Sequence, residues 1–155
     1  MAPTIDFSDR HIFVAGGSRG IGAATVRMLA EAGAKVSFTY QNSQQMAEAL
    51  AAESGARAYP MAVEDEASVS TAVDNAVADL GPLRGMVVSA GIFELRPIEE
   101  MTLDFWERML SINLRGSVWC VKAAAQHMRA QGIGGSIVLY TSTAGQSGAG
   151  DGFSA

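Results

Sequence analysis

One cysteine, two histidines and a shortage of basic side chains set the first bounds on this 155-residue chain. A lone Cys120, inside an apolar helical run, makes no disulfide framework and reads as a reduced, buried thiol. Lys and Arg number 11 against 16 Asp and Glu, a net charge of −5. Nucleic acid, which needs a basic face, is therefore not an expected partner. No apolar run approaches the ~20 residues of a membrane span, and no basic-plus-apolar leader opens the chain, so a cytoplasmic protein without membrane contact is expected. His11 and His127 lie too far apart in the sequence to suggest a dyad. The acidic run Glu64-Asp65-Glu66 has no histidine nearby, so no metal site is expected, and the run suits the start of the helix that follows it. Internal repeats and low-complexity tracts are missing too.

What the chain does have is alternation. Apolar residues make up 48 % and charged ones 17 %, the balance of a single domain over residues 1–155 with a real core. Short runs rich in Val, Ile, Phe or Tyr predict strands at 11–15, 35–40, 56–61, 84–89 and 136–142. Helices are predicted at 20–32, 43–53, 66–80 and 102–130, with Ser43 and Thr102 as N-caps and Gly33, Gly55 and Gly81 just past helix ends. Such βαβ repetition implies an α/β fold: a parallel sheet, right-handed crossovers and helices on both faces. The tail from Ser142 to Ala155 reads as loop.

The helix at 102–130 would be roughly 40 Å long. Asn113 and Gly116 interrupt its apolar pattern, and Asn is a poor mid-helix residue because its amide competes for backbone bonds. A position that costs helix stability hints at function. Trp106 and Trp119 are expected in core or interface packing.

The most informative segment is Ala15-Gly16-Gly17-Ser18-Arg19-Gly20-Ile21-Gly22, between the first strand and the first helix. Glycines there let backbone approach a ligand, and the helix start offers unpaired N–H groups and a positive dipole end. The segment suits a phosphate or pyrophosphate.

Four segments in order then carry a resemblance to the first part of the short-chain dehydrogenase/reductase family, through its fifth strand. The family's Thr-Gly-x-x-x-Gly-x-Gly pattern matches Gly16, Gly20 and Gly22, with Ala15 for Thr. Its Asn-Asn-Ala-Gly turn is similar to Val88-Ser89-Ala90-Gly91, its mid-helix Asn to Asn113, and its strand-five segment to Gly135–Gly145 with the catalytic serine at Ser142. Ala15 cannot make the threonine's hydrogen bond, and Val88-Ser89 replace two asparagines that brace the central strands. The resemblance implies a Rossmann-like, doubly wound parallel sheet in the order 3-2-1-4-5. It implies hydride transfer between a nicotinamide cofactor and a small carbonyl or alcohol substrate. Ser142 would hold the substrate oxygen, Asn113 would hold a water of the proton relay, and a tyrosine activated by lysine would be the acid/base.

That Tyr-x-x-x-Lys pair would follow Ser142 by about a dozen residues, and the sequence reaches Ala155 without it. Tyr40, Tyr59 and Tyr140 are followed four residues later by Gln44, Val63 and Ala144. The expectation is a truncated enzyme, inactive by itself, with apolar surface on the long helix and an open edge at strand five. The alternative is a nucleotide-binding or interaction module without catalysis.

The cofactor would be held by Gly16, Ser18, Arg19, Gly20, Ile21, Gly22, Tyr40, Gln41, Val63, Ala90 and Gly91. NADP(H) is favoured over NAD(H), since residues 38–43 carry no acid to repel a 2′-phosphate. Arg19 at a helix start opposes the dipole by ~0.3–1 kcal/mol, a placement that an anionic partner would offset. Ala62 and Val63 stand where the family often has an Asp-hydrophobe pair touching adenine, so adenine would rest on backbone and apolar contacts. The loop 91–97, with Phe93 and Leu95, would form an apolar wall of the substrate pocket. A homo-oligomer is expected, because the family commonly dimerises through its long helix.

Overall fold

The first strand is apolar apart from its opening histidine, and that composition sends it to the centre of the molecule. The computed structural model describes residues 5–147. Its strands are β1 (His11–Ala15), β2 (Lys35–Tyr40), β3 (Arg57–Pro60), β4 (Leu83–Val88) and β5 (Ser136–Leu139). They form one sheet in the order β3-β2-β1-β4-β5, every neighbouring pair parallel. This is the doubly wound, Rossmann-like sheet that the sequence implied.

Helices cover both faces: α1 (Gly20–Glu31), α2 (Gln44–Ser54), α3 (Glu66–Leu80), α4 (Leu103–Leu110), α5 (Gly116–Ala130) and the short α6 (Ala144–Ser147). β1 is therefore buried at all five positions, and its side chains alternate between two cores. Phe13 packs with Leu83, Met86, Val69 and Val73, and with Cys120 and Ala124 of α5. Val14 packs with Phe38, Val26 of α1 and Leu50 of α2. Cys120 is fully buried, which pushes its thiol up to about 12. Among the described residues no helix is long and apolar enough to cross a membrane.

Several local expectations are refined. Thr102 caps α4, its Oγ1 accepting from Phe105 N at 3.2 Å. Ser43 precedes α2 but makes no cap bond. Gly33, Gly55 and Gly81 all take positive φ at helix ends. The long helix is not one α-helix: a π-helical turn at Ser111–Arg115 separates α4 from α5. β5 stops at Leu139 because the chain soon turns, Gly145 N donating to Ser142 O and Gln146 N to Thr143 O, into α6. The tail expected as loop is thus partly helical, and residues 148–155 lie outside the described residues. Trp119 packs against the core, whereas Trp106 is 42 % exposed. The acidic run divides its labour. Asp65 caps α3 through Ala67 N, Glu66 pairs with Lys122 at 2.6 Å, and Glu64 meets Gln41.

His11 is a titratable side chain buried in the sheet. Its Nδ1 lies 2.8 Å from Gly81 O, and its Nε2 lies 2.8 Å from Ser37 Oγ. A carbonyl only accepts, so Nδ1 carries the proton and Nε2 accepts from the serine hydroxyl. Burial disfavours the charged ring and lowers its pKa from the ordinary 6.5. The unfolded chain therefore takes up a proton first as pH falls. The contribution of His11 is complete above about pH 6.5 and is lost as pH drops through the lower folded value. Urea unfolding from pH 7.5 to pH 5 is expected to show stability falling with pH, and His11→Phe should flatten that slope at the cost of about 1–3 kcal/mol at neutral pH.

Candidate functional site

At the C-terminal ends of β1 to β4 the sheet opens into a cleft of about 570 Å³. This is where parallel sheets of this order present their loops to ligands. The strands are spent by then, so loop backbone supplies the polar groups.

The glycine segment makes one wall. Gly16 has φ +77° and lies so near the β4 turn that a Cβ there would sit 2.6 Å from Ala90 N and Cα. Gly22, in the first turn of α1, lies against Gly16, and a Cβ would fall 2.1 Å from the Gly16 carbonyl oxygen. No side chain at either position is compatible with this packing. Gly16 N donates to Thr39 Oγ1 at 3.0 Å, and Gly17 N donates to Thr39 O at 2.9 Å. Thr39 is 1 % exposed, and it supplies from β2 a hydroxyl brace that Ala15 cannot give. The next donors are left over. Arg19, the N-cap of α1, makes no side-chain cap bond, and the first turn carries no acid, so its opening N–H groups and dipole remain for an anion.

The opposite wall is the turn after β4, Ser89 to Ile92. Asn113 fixes it: Oδ1 accepts from Ile92 N at 2.8 Å, and Nδ2 donates to Ile92 O at 3.0 Å. Asn113 sits in the π-helical turn, whose extra residue per turn rotates side chains out of α-helical register. Ser117 Oγ donates to Asn113 O at 2.9 Å, one turn back. Ile112, its neighbour, lines the cleft, as does Arg108 of α4, which is paired with Glu94.

The base of the cleft near β2 and β3 combines Tyr40, Gln41, Met61, Val63 and Glu64. Gln41 Nε2 donates to Glu64 Oε1 at 2.9 Å. The acid missing from residues 38–43 is thus brought to that place by the loop after β3.

Of the residues singled out in the sequence, Gly16, Ser18, Arg19, Gly20, Ile21, Tyr40, Gln41, Val63, Ala90 and Gly91 line the cleft. Gly22 stands behind it. Asn113 stands outside the lining and acts on it through Ile92. Ser142 lies beyond β5, exposed, with Oγ accepting from Ala144 N at 3.2 Å, and it does not line the cleft. Sequence reasoning missed Thr39, Glu64, Arg108 and Ile112. Thr39 left a trace as a polar residue in an apolar strand, and Glu64 as a member of the acidic run read only as a helix start.

A family model described as short chain dehydrogenase matches residues 10–153. The cis-4-hydroxycyclohexanecarboxylate dehydrogenase of Sinomonas cyclohexanicum is 40 % identical over 144 residues, covering 90 % of this chain and 57 % of its own length. The solved short chain dehydrogenase of Burkholderia cenocepacia in complex with NADP superposes with a TM-score of 0.87 at 34 % identity, covering 94 % of this chain and 60 % of that one. A blue fluorescent protein from a metagenomic library, in complex with NADPH, gives 0.85 at 37 %, covering 95 % and 61 %. The chain spans little more than half the length of the curated relatives it matches.

Thr39→Val keeps the branched shape and removes the hydroxyl, leaving the Gly16 N–H without its partner. The expected result is a loss of about 1–3 kcal/mol in urea unfolding, with faster amide exchange at Gly16 than in the parent protein. Unchanged exchange at Gly16 would show that the brace is dispensable.

Proposed function

Because the chain belongs to the short-chain dehydrogenase/reductase family, we propose that the protein it represents is an NADP(H)-dependent oxidoreductase acting on a carbonyl or alcohol substrate. The observation that carries this reading is the glycine segment and uncapped α1 opening on a cleft of about 570 Å³. The geometry fits such a group. Gly16 and Gly22 keep the backbone low, the first-turn N–H groups suit a pyrophosphate, and Arg19 suits a further phosphate. The nicotinamide, when bound, supplies or accepts the hydride.

The chain's own residues bind and orient. Ser142 Oγ accepts one backbone bond and keeps its own proton to donate to a substrate oxygen. Asn113, engaged at both ends by Ile92, sets the β4 turn and retains one N–H and one lone pair for a water of the proton relay. No tyrosine of these residues is followed four positions later by lysine. We assign the acid/base pair to the part of the protein that the relatives have and this chain does not span. The second reading is a nucleotide-binding or interaction module without catalysis. NADPH binding without turnover by the product of the natural gene would select that reading. A buried, unpaired Cys120 and the acidic composition are consistent with a cytoplasmic setting.

Homo-oligomerisation is part of the proposal. Trp106, Leu110, Leu114 and Val118 are exposed along α4, the π-helical turn and α5, and Val138 and Leu139 are exposed on β5. In the whole protein this apolar surface is assigned to further chain and to a second copy.

Three outcomes are expected. Arg19→Ala should weaken NADPH binding about tenfold while leaving NADH nearly unchanged, read by fluorescence titration. In the whole protein, Ser142→Ala should lower kcat by about a hundredfold. The 155 residues expressed alone should self-associate in light scattering, and a monodisperse, cooperatively melting monomer would refute the surface assignment.

A further inference from the structure

We propose that Tyr140 is a positioning residue for Ser142, fastening the end of β5 to α1 through the hydroxyl of Thr25. The proposal rests on the oxidoreductase reading above. Tyr140 OH lies 3.0 Å from Thr25 Oγ1, across 115 positions of sequence. Thr25 Oγ1 in turn donates to Ile21 O at 2.9 Å. Threonine has one hydroxyl proton and a carbonyl only accepts, so that proton is committed to Ile21. The phenol is therefore the donor of the longer bond. Tyr140, Thr25 and Ile21 thus link the strand end to the first turn of α1, where Ile21 lines the cleft.

The sheet explains how two distant elements meet. Side chains alternate along a strand, so Tyr140 shares a face with Val138, while Ile137 packs on the opposite core beside α5. Val138 stands beside Val87 of β4, and Val87 beside Val14 of β1. α1 covers Val14, Val87 is partly buried, and Val138 is 49 % exposed. Cover on this face therefore thins from β1 to β5. The Tyr140 side chain reaches back along that face, from the β5 side of the sheet to α1.

What leaves the strand gives the tie its consequence. Tyr140 N donates to Val88 O at 3.1 Å and so extends the ladder past Leu139. Ser142, two residues on, is engaged by its own turn: its O accepts from Gly145 N at 3.1 Å and its Oγ from Ala144 N at 3.2 Å. Those bonds shape the turn, but its direction is set by the strand end that feeds it. A tyrosine has only two side-chain torsions, so a bond at its hydroxyl restrains its backbone. The tie sets the serine hydroxyl and the first turn of α1 in one frame. Substrate oxygen and pyrophosphate, assigned to those two places, are then aligned with each other, and a small misalignment of reacting groups is costly in rate.

The test is NADPH oxidation by the product of the natural gene, with cyclohexanone, 2-butanone and ethyl acetoacetate as probe ketones. Tyr140→Phe should lower kcat by about three- to tenfold, the loss of one hydrogen bond. Thr25→Val should lower it by a similar factor, and Thr25→Ser, which keeps the hydroxyl, should recover it. In the Ser142→Ala background Tyr140→Phe should lower kcat no further, because the group it positions is gone. A parent-like kcat in Tyr140→Phe, or no recovery in Thr25→Ser, would overturn the assignment. The same loss with and without the serine hydroxyl would also overturn it and leave Tyr140 a tie for stability alone. Turnover of none of the probes by the parent protein would count against the oxidoreductase reading itself, and this proposal would fall with it.

Discussion

The close passage of two strand-to-helix turns governs the rest of this structure. β1 and β4 are parallel neighbours with Ala15 opposite Val88, so both chains leave the sheet at the same edge. The turns that follow must share that edge, and they do so at a separation that excludes any side chain at residue 16. Lowering the first turn has two consequences. It opens the cleft above the sheet, and it brings Gly16 and Gly17 within reach of Thr39, so their N–H groups are satisfied inside the protein. The donors one step further on, in the first turn of α1, are then the ones left for a ligand.

The architecture was readable because each layer repeats one local rule. β1 and β4 are short, apolar and flanked by loops, as strands covered on both faces must be, and their expected limits match the structure to within a residue. Gly33, Gly55 and Gly81 marked helix ends because the chain takes positive φ there. The long helix was harder. Asn113 was visible as a misfit, yet an α-turn and a π-turn differ here through a backbone segment 21 residues earlier, at Ile92. Spacing within the helix carries no record of that partner. Ser43 illustrates a related failure: its residue type suits an N-cap, but its hydroxyl makes no such bond.

The cleft divides along the same line. Residues that contribute through their own backbone, such as Gly16, Ile21, Ala90 and Gly91, sit in segments whose composition announces them. Residues that arrive as side chains from another element do not. Thr39 reaches the glycine turn from β2, Arg108 comes from α4, and Glu64 comes from the loop after β3. Searching residues 38–43 for an acid could not find Glu64, because the sheet order, and not sequence proximity, sets it against Gln41.

Charge in the cleft is more unequal than the net value of −5 suggests. Arg108 is neutralised by Glu94. Arg19 has no ion pair among the described residues, and it stands at the N-cap of α1, the end of a helix where a cation is least welcome. Glu64, also in the lining, is bonded to Gln41. A chain with acids in excess thus leaves its least favourably placed arginine uncompensated beside the donors best suited to phosphate. The dipole penalty of ~0.3–1 kcal/mol is small, but it is reversed once an anion lies between Arg19 and the helix, since the anion attracts both. In the proposed complex the pyrophosphate would engage the backbone donors. An arginine held beside them has most to gain from an additional phosphate, which is why the unpaired Arg19 weighs toward the phosphorylated dinucleotide.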